Sequence, residues 1–197
     1  MVKYQESCDS IKNISTIFQI CSIRFEVLVF LLVFGLVSPG IHSRVLNTLP
    51  MALKAAFPHA QKVKRSTIYL TPAQIAKASE LNRRQPVQMN IVHQYRVLQN
   101  DDVIGYAYLD SHRVRTFKET IFVALDKDGN VMRVEILSFK EPPEYIMDRD
   151  WLDRFNNSGL KTVISAEKLP VITGSTLSTD AIQGGVIRVL AIHRSLE

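Results

Sequence analysis

Apolar positions along this chain change their spacing from segment to segment, and each change predicts an element. Val27–Val37 reads "VLVFLLVFGLV", eleven uncharged residues that are almost wholly apolar. From Val45 to Phe57 the apolar residues recur at helical spacing, and Pro58 ends the segment. Ser66–Leu70 reads as a short strand, and a full helix-start signature follows it. Thr71 is the cap, Pro72 takes the first helical position and Gln74 completes a Thr-x-x-Gln capping box. Leu70 and Ile75 are spaced as a hydrophobic staple across that start.

From Val92 to Phe139 the period shortens to two. Two strands are expected around the turn Asn100-Asp101-Asp102, and a second hairpin around Asp126–Asn130. In its return strand Met132, Val134 and Ile136 alternate with Arg133 and Glu135, the pattern of a sheet covered on one side. Pro142-Pro143 stops the sheet. "YIMDRDWLDRF" then predicts a short helix with Trp151, Leu152 and Phe155 at apolar spacing. A final helix places Ile182, Val186, Val189, Leu190 and His193 on one face. Gly184-Gly185 inside it costs about 1 kcal/mol per glycine relative to Ala, which predicts close approach of a strand or a flat ligand. The fold class is therefore α+β: an antiparallel β-meander or half-barrel flanked by helices, preceded by an apolar export or anchor segment. Residues 1–44 are expected to form a leader and residues 45–197 the domain.

Composition changes this picture mainly at the front. Eleven apolar residues fall short of the roughly 20 that span a bilayer, but suit a signal-peptide core of about 7–15. Lys3, Lys12 and Arg24 precede the run and the small-residue stretch "SPGIHS" follows it. Export is therefore expected, by a cleaved signal or an uncleaved anchor, and with it an extracytoplasmic location. Both cysteines, Cys8 and Cys21, precede the run, so the domain can hold no disulfide frame and no thiolate metal site. The net charge of +5 is scattered over "KVKR", "RR" and "HRVR" without interleaved aromatics, which reads as solvated surface and not as a nucleic-acid groove.

Few residues offer chemistry. The histidines at 42, 59, 93, 112 and 193 include no i, i+4 pair, so no metal site is expected, and His193 reads as packing. Phosphate-loop, dinucleotide and nucleophile-elbow motifs are absent. Glu141, Glu144, Asp148, Asp150 and Asp153 read as solvated acids. There remains the hydroxyl-rich stretch Thr173-Gly174-Ser175-Thr176-Leu177-Ser178-Thr179. Gly174 would make a turn, Ser178 or Thr179 would cap the last helix, and Asp180 would sit in its first turn. One cap hydroxyl would suffice. A glycine turn feeding a helix N-terminus also presents N–H groups to an anion such as phosphate.

Thr173-Gly174-Ser175-Thr176 resembles the flavinylation motif of the FMN-binding domain family, found in the G subunit of Rnf electron-transport complexes and the C subunit of the sodium-translocating NADH:quinone reductase. The resemblance extends to "VIGYAY", "KDGNVMRVEIL", "KEPPEY" and "WLDRF", in family order from about residue 50 to the end. It implies FMN bonded through a phosphoester to Thr176, with Thr173, Gly174, Ser175, Leu177, Ser178, Thr179 and Glu141 around it. It also implies a flavin transferase that supplies FMN from FAD, membrane redox subunits as partners, and electron relay rather than catalysis by this chain alone. Three positions depart from the family pattern: Ser175 for Ala, Pro170 for Asp and Glu144 for Gly. The alternative is an exported binding or interaction domain of the same fold that has lost its covalent flavin.

Overall fold

The computed structural model describes residues 44–165 and 175–197, all within one compact unit, His42–Glu197. The apolar run, both cysteines, Pro170, Thr173 and Gly174 lie outside the described residues. Strands β1 (Arg44–Val45), β2 (Lys62–Tyr69), β3 (Ile91–Gln99), β4 (Asp102–Arg113), β5 (Lys118–Asp126) and β6 (Val131–Phe139) form one sheet. Its order is β1-β6-β5-β4-β3-β2, and every pairing is antiparallel. The five longer strands thus make a meander, with the two-residue β1 added beside β6. The sheet is open, since β1 and β2 are edges that do not meet.

Among the described residues five α-helices accompany it: α1 (Leu49–Ala56), α2 (Pro72–Asn82), α3 (Arg149–Leu152), α4 (Leu160–Ser165) and α5 (Thr176–Leu196). Among the described residues no helix is long and apolar enough to cross a membrane. The expected α+β class and antiparallel meander hold. The capping box of α2 forms as read, Thr71 accepting from the Gln74 N–H while the Gln74 side chain accepts from the Thr71 N–H. Leu70 and Ile75 pack in the same apolar cluster. The β3–β4 turn has Asn100 and Asp101 both at positive φ, 51° and 66°, the backbone of a tight hairpin matched to strand twist.

Other expectations are corrected. The first helix begins at Leu49, because Arg44 and Val45 pair with β6. Strand β2 starts at Lys62, so "KVKR" is strand. Its charges sit on an exposed edge, where they discourage further strand pairing. Helix α4 was not foreseen. The alternation in β6 is broken by two bulges, with Met132 inserted between the pairs Leu125–Val131 and Ala124–Arg133. Val131 is therefore buried where Met132, 38% exposed, was expected. A second bulge at Leu137 brings Phe139, three residues on, to the same face as Ile136.

Nor is the sheet covered on one side only. On one face Ile121, Val123 and Leu125 of β5 join Val134 and Ile136 of β6 against α5, α2 and the Trp151–Phe155 turn. On the other, Phe122 and Ala124 pack with Ala52 and Ala56 of α1 and with Phe57 directly after it. Residues 121–125 are all fully buried, so this central strand reads as a continuous apolar run.

Helix α5 lies closest to the sheet at Gly185. A Cβ there would fall 2.8 Å from Asp110 Oδ2 and 2.9 Å from Ile121 Cδ1, whereas one at Gly184 would meet nothing within 4 Å. A strand, the first of the two expected causes, accounts for Gly185. Gly184 instead borders an open cavity of about 390 Å³ with Asn82, Arg84, Gln85 and Asp180. The two glycines should therefore respond oppositely to alanine in urea unfolding. Gly184→Ala should stabilise by about 0.5–1 kcal/mol, and Gly185→Ala should destabilise by roughly 1–3 kcal/mol through overpacking. Shifts of the same sign in both variants would contradict this packing.

Candidate functional site

The hydroxyl-rich stretch enters the described structure at Ser175, and α5 begins at Thr176. The cap position, Ser175, is thus three to four residues earlier than the expected cap at Ser178 or Thr179. Both of those residues are inside the helix and buried, at 1% and 3% exposure. The Thr179 hydroxyl donates back to the Thr176 carbonyl at 2.8 Å, and its N–H reaches the Ser175 carbonyl at 3.0 Å. Asp180 consequently lies beyond the first turn, which contains no acid. Ser175 occupies the cap position but makes no side-chain cap bond. Its hydroxyl is buried and directed at the Glu144 carbonyl, 3.4 Å away.

Two members of the stretch face solvent: Thr176 and Leu177, the latter 48% exposed. The opening N–H groups of an α-helix have no intrahelical acceptor, and no side chain among the described residues caps them here. The helix end therefore joins an accessible hydroxyl to donors and the positive end of a 21-residue helix. Those features suit an anion at this helix end.

The neighbouring wall is built by the "KEPPEY" segment. Oε1 of Glu141 accepts from the backbone N–H groups of Arg115, Thr116 and Phe117 at 3.2, 2.7 and 2.8 Å. Against the desolvation that would raise it, these donors and the Arg115 charge hold the Glu141 carboxyl below its ordinary pKa. Glu141 thus fixes the β4–β5 turn. The 3-10 turn Pro143–Tyr145 follows, with the Arg115 guanidinium 4.3 Å from the centre of the Tyr145 ring. Through the Ser175–Glu144 contact this wall reaches the start of α5. Two of the other acids are engaged as well: Asp148 caps α3 through the Trp151 N–H, and Asp153 pairs with Arg149.

Sequence reading missed a buried ion cluster under the middle of α5. Arg188 grips Asp110 through Nε and Nη2 at 2.7 and 2.9 Å. His112 bridges Asp110 at 2.8 Å and Glu119 at 3.1 Å. "HRVR" had read as solvated surface, yet the His112 side chain is 9% exposed. The signal was period two: Asp110 and His112 continue the buried face of Tyr106 and Tyr108, and Glu119 is the direct cross-strand partner of His112. Burial raises the Glu119 pKa, while hydrogen bonds from Arg188 and His112 overcome burial at Asp110 and lower it.

His193 packs as expected and bonds too. The Gln94 amide donates to the Tyr108 hydroxyl at 2.7 Å, and that hydroxyl shares a hydrogen bond with His193 Nδ1 at 2.9 Å. Burial lowers the pKa of the imidazole. Among the described residues no group of three or more His, Cys, Asp or Glu is placed to hold a metal.

Comparison with known families agrees with the motif. Residues 118–191 match the model of the FMN-binding domain, from the first residue of β5 to five residues before the end of α5. This stretch thus resembles that family, whose name points to flavin binding. No curated protein matches the chain.

The ion cluster makes stability pH-dependent. Burial alone would lower the His112 pKa, but hydrogen bonds to Asp110 and Glu119 raise it to about 9. The folded value exceeds the unfolded one, so the stabilisation is complete below about pH 6.5 and is lost as pH rises through about 9. Unfolding free energy should fall by on the order of 2–3 kcal/mol over that interval. Urea titrations of wild type and His112→Gln at pH 6.5 and 9.5 test it, and an equal alkaline loss in both would exclude His112 as the source.

Proposed function

We propose that this chain is an electron-transfer flavoprotein carrying FMN through a phosphoester on Thr176. The observation that carries this reading is the exposed Thr176 hydroxyl on the first residue of α5, within the stretch that matches the FMN-binding domain. On this reading the N–H groups at the start of α5 hold the phosphate charge. Leu177 covers part of the ligand, and the wall of Glu141, Glu144 and Tyr145 borders it. Flavin, when bound, supplies the redox chemistry. The chain supplies the oxygen that bears it and the electrostatics around that oxygen.

Attachment is the work of a second protein. Transfer would join the Thr176 oxygen to the FMN-side phosphorus of FAD, with the bond to the AMP oxygen broken and AMP released. The hydroxyl proton would pass to a base of the transferase, because a neutral threonine is a weak nucleophile. The apolar run at 27–37 supports an extracytoplasmic location for the domain. There a tethered flavin is not lost by dissociation, and membrane redox subunits would be its electron partners.

Co-expression of the chain with a flavin transferase tests the reading. Wild-type protein denatured in a gel should fluoresce and carry an FMN-sized mass increment. Thr176→Ala should lose both and Ser178→Ala should keep both. A bare wild-type chain beside a labelled control substrate would overturn covalent attachment and favour a domain that has lost its flavin.

A further inference from the structure

The ion cluster forms one wall of a cavity of about 320 Å³, bordered by Gln85, Gln88, Met89, Ser111, His112 and Arg188 among others. Its charges are layered. The carboxylates of Asp110 and Glu119 are 2% and 1% exposed, whereas the cations His112 and Arg188 are 9% and 14% exposed and border the cavity. Both His112 ring nitrogens are taken by the carboxylates, so His112 contributes field and not a hydrogen bond. Arg188 gives Nε and Nη2 to Asp110. The end edge of its guanidinium, Nη1 with the second hydrogen of Nη2, has no acceptor among the described residues. Asp110 holds the group rigidly, so this pair of parallel donors is already oriented.

We propose that this cavity binds a small organic monocarboxylate, with its carboxylate on the Arg188 end edge and its carbon body against Met89. Two parallel N–H donors match a planar carboxylate in a bidentate pair. The Gln85 and Gln88 amides add polar partners at the rim. A phosphate dianion would bring two negative charges to cations that already face two carboxylates, whereas a monocarboxylate brings one. This site is independent of flavin on Thr176, since it is built from the 85–89 loop, β4 and the middle of α5.

The test is calorimetric titration of the full chain with benzoate, benzamide and inorganic phosphate. Circular dichroism melting establishes that each variant is folded. Benzoate should bind saturably at roughly millimolar or tighter dissociation constant, and neutral benzamide should not compete. Arg188→Lys keeps a charge against Asp110 but removes the fork, and should weaken benzoate about tenfold, the worth of one charged hydrogen bond. Met89→Ala leaves the ion cluster intact and should also weaken it, which keeps the test decisive if Arg188→Lys unfolds. Absence of saturable benzoate binding, unchanged affinity in a folded variant, or tighter binding of phosphate than of benzoate would each overturn the assignment.

Discussion

The approach of helix α5 to strand β4 is the constraint on which the rest of this structure depends. The helix can lie on the sheet only because residue 185 has no side chain, since a single Cβ would collide with Asp110 and Ile121. That contact places Arg188 over Asp110, and so allows charged groups to be buried where an apolar core would be expected. A buried charge without a partner costs several kcal/mol, while breaking an existing pair costs about 3–5 kcal/mol. The cluster is consequently more a device for fixing position than a source of net stability. Arg188 can meet Asp110 at one rotation and one register of the helix, and the same register brings His193 to the Tyr108 hydroxyl.

That register also determines how the hydroxyl-rich stretch is presented. Ile182 and Val186 are fully buried on the side facing the sheet. With Ile182 inward, the helical period of 3.6 residues turns Ser178 and Thr179 inward as well and leaves Thr176 and Leu177 outside. Exposure of Thr176 is thus an outcome of packing elsewhere on the same helix. The Glu141-braced turn and the Ser175 contact with Glu144 meet this end from the sheet side. The start of α5 is therefore bounded by elements far apart in sequence, residues 115–117, 141–145 and 175–179.

What could be read from the chain in advance follows the range of the forces involved. The capping box at Thr71 and Gln74 and both hairpin turns involve neighbours within a few residues, so local spacing identified them. The start of α5 was misplaced because serine and threonine suit several successive cap positions equally, and the choice among them is made by burial of Ile182 and Val186. Helix α4 escaped because six residues offer less than two helical turns, and Gly159 ahead of it has no side chain to cap with. The bulge at Met132 escaped because a strict alternation of period two has no term for an inserted residue. His112 was misread for a different reason. Its neighbours Arg113 and Arg115 are exposed, and only the pairing of β4 with β5 shows that His112 faces Glu119.

On the proposed reading, the choice of oxygen follows from accessibility and not from intrinsic reactivity, because Ser and Thr hydroxyls do not differ enough to direct a transferase. The Ser175 hydroxyl is buried toward a carbonyl, Ser178 is buried in the helix face, and Thr179 is both buried and bonded to the Thr176 carbonyl. Thr176 alone of these four faces solvent. An enzyme that must bring FAD and a metal ion to the hydroxyl needs that exposure more than it needs a strong nucleophile. The phosphoester then gains from the same position, since a negative group on the first residue of a helix is stabilised by about 0.3–1 kcal/mol at an exposed site. One geometric fact, the first turn of α5 standing clear of the sheet, would serve the modification and afterwards hold its product.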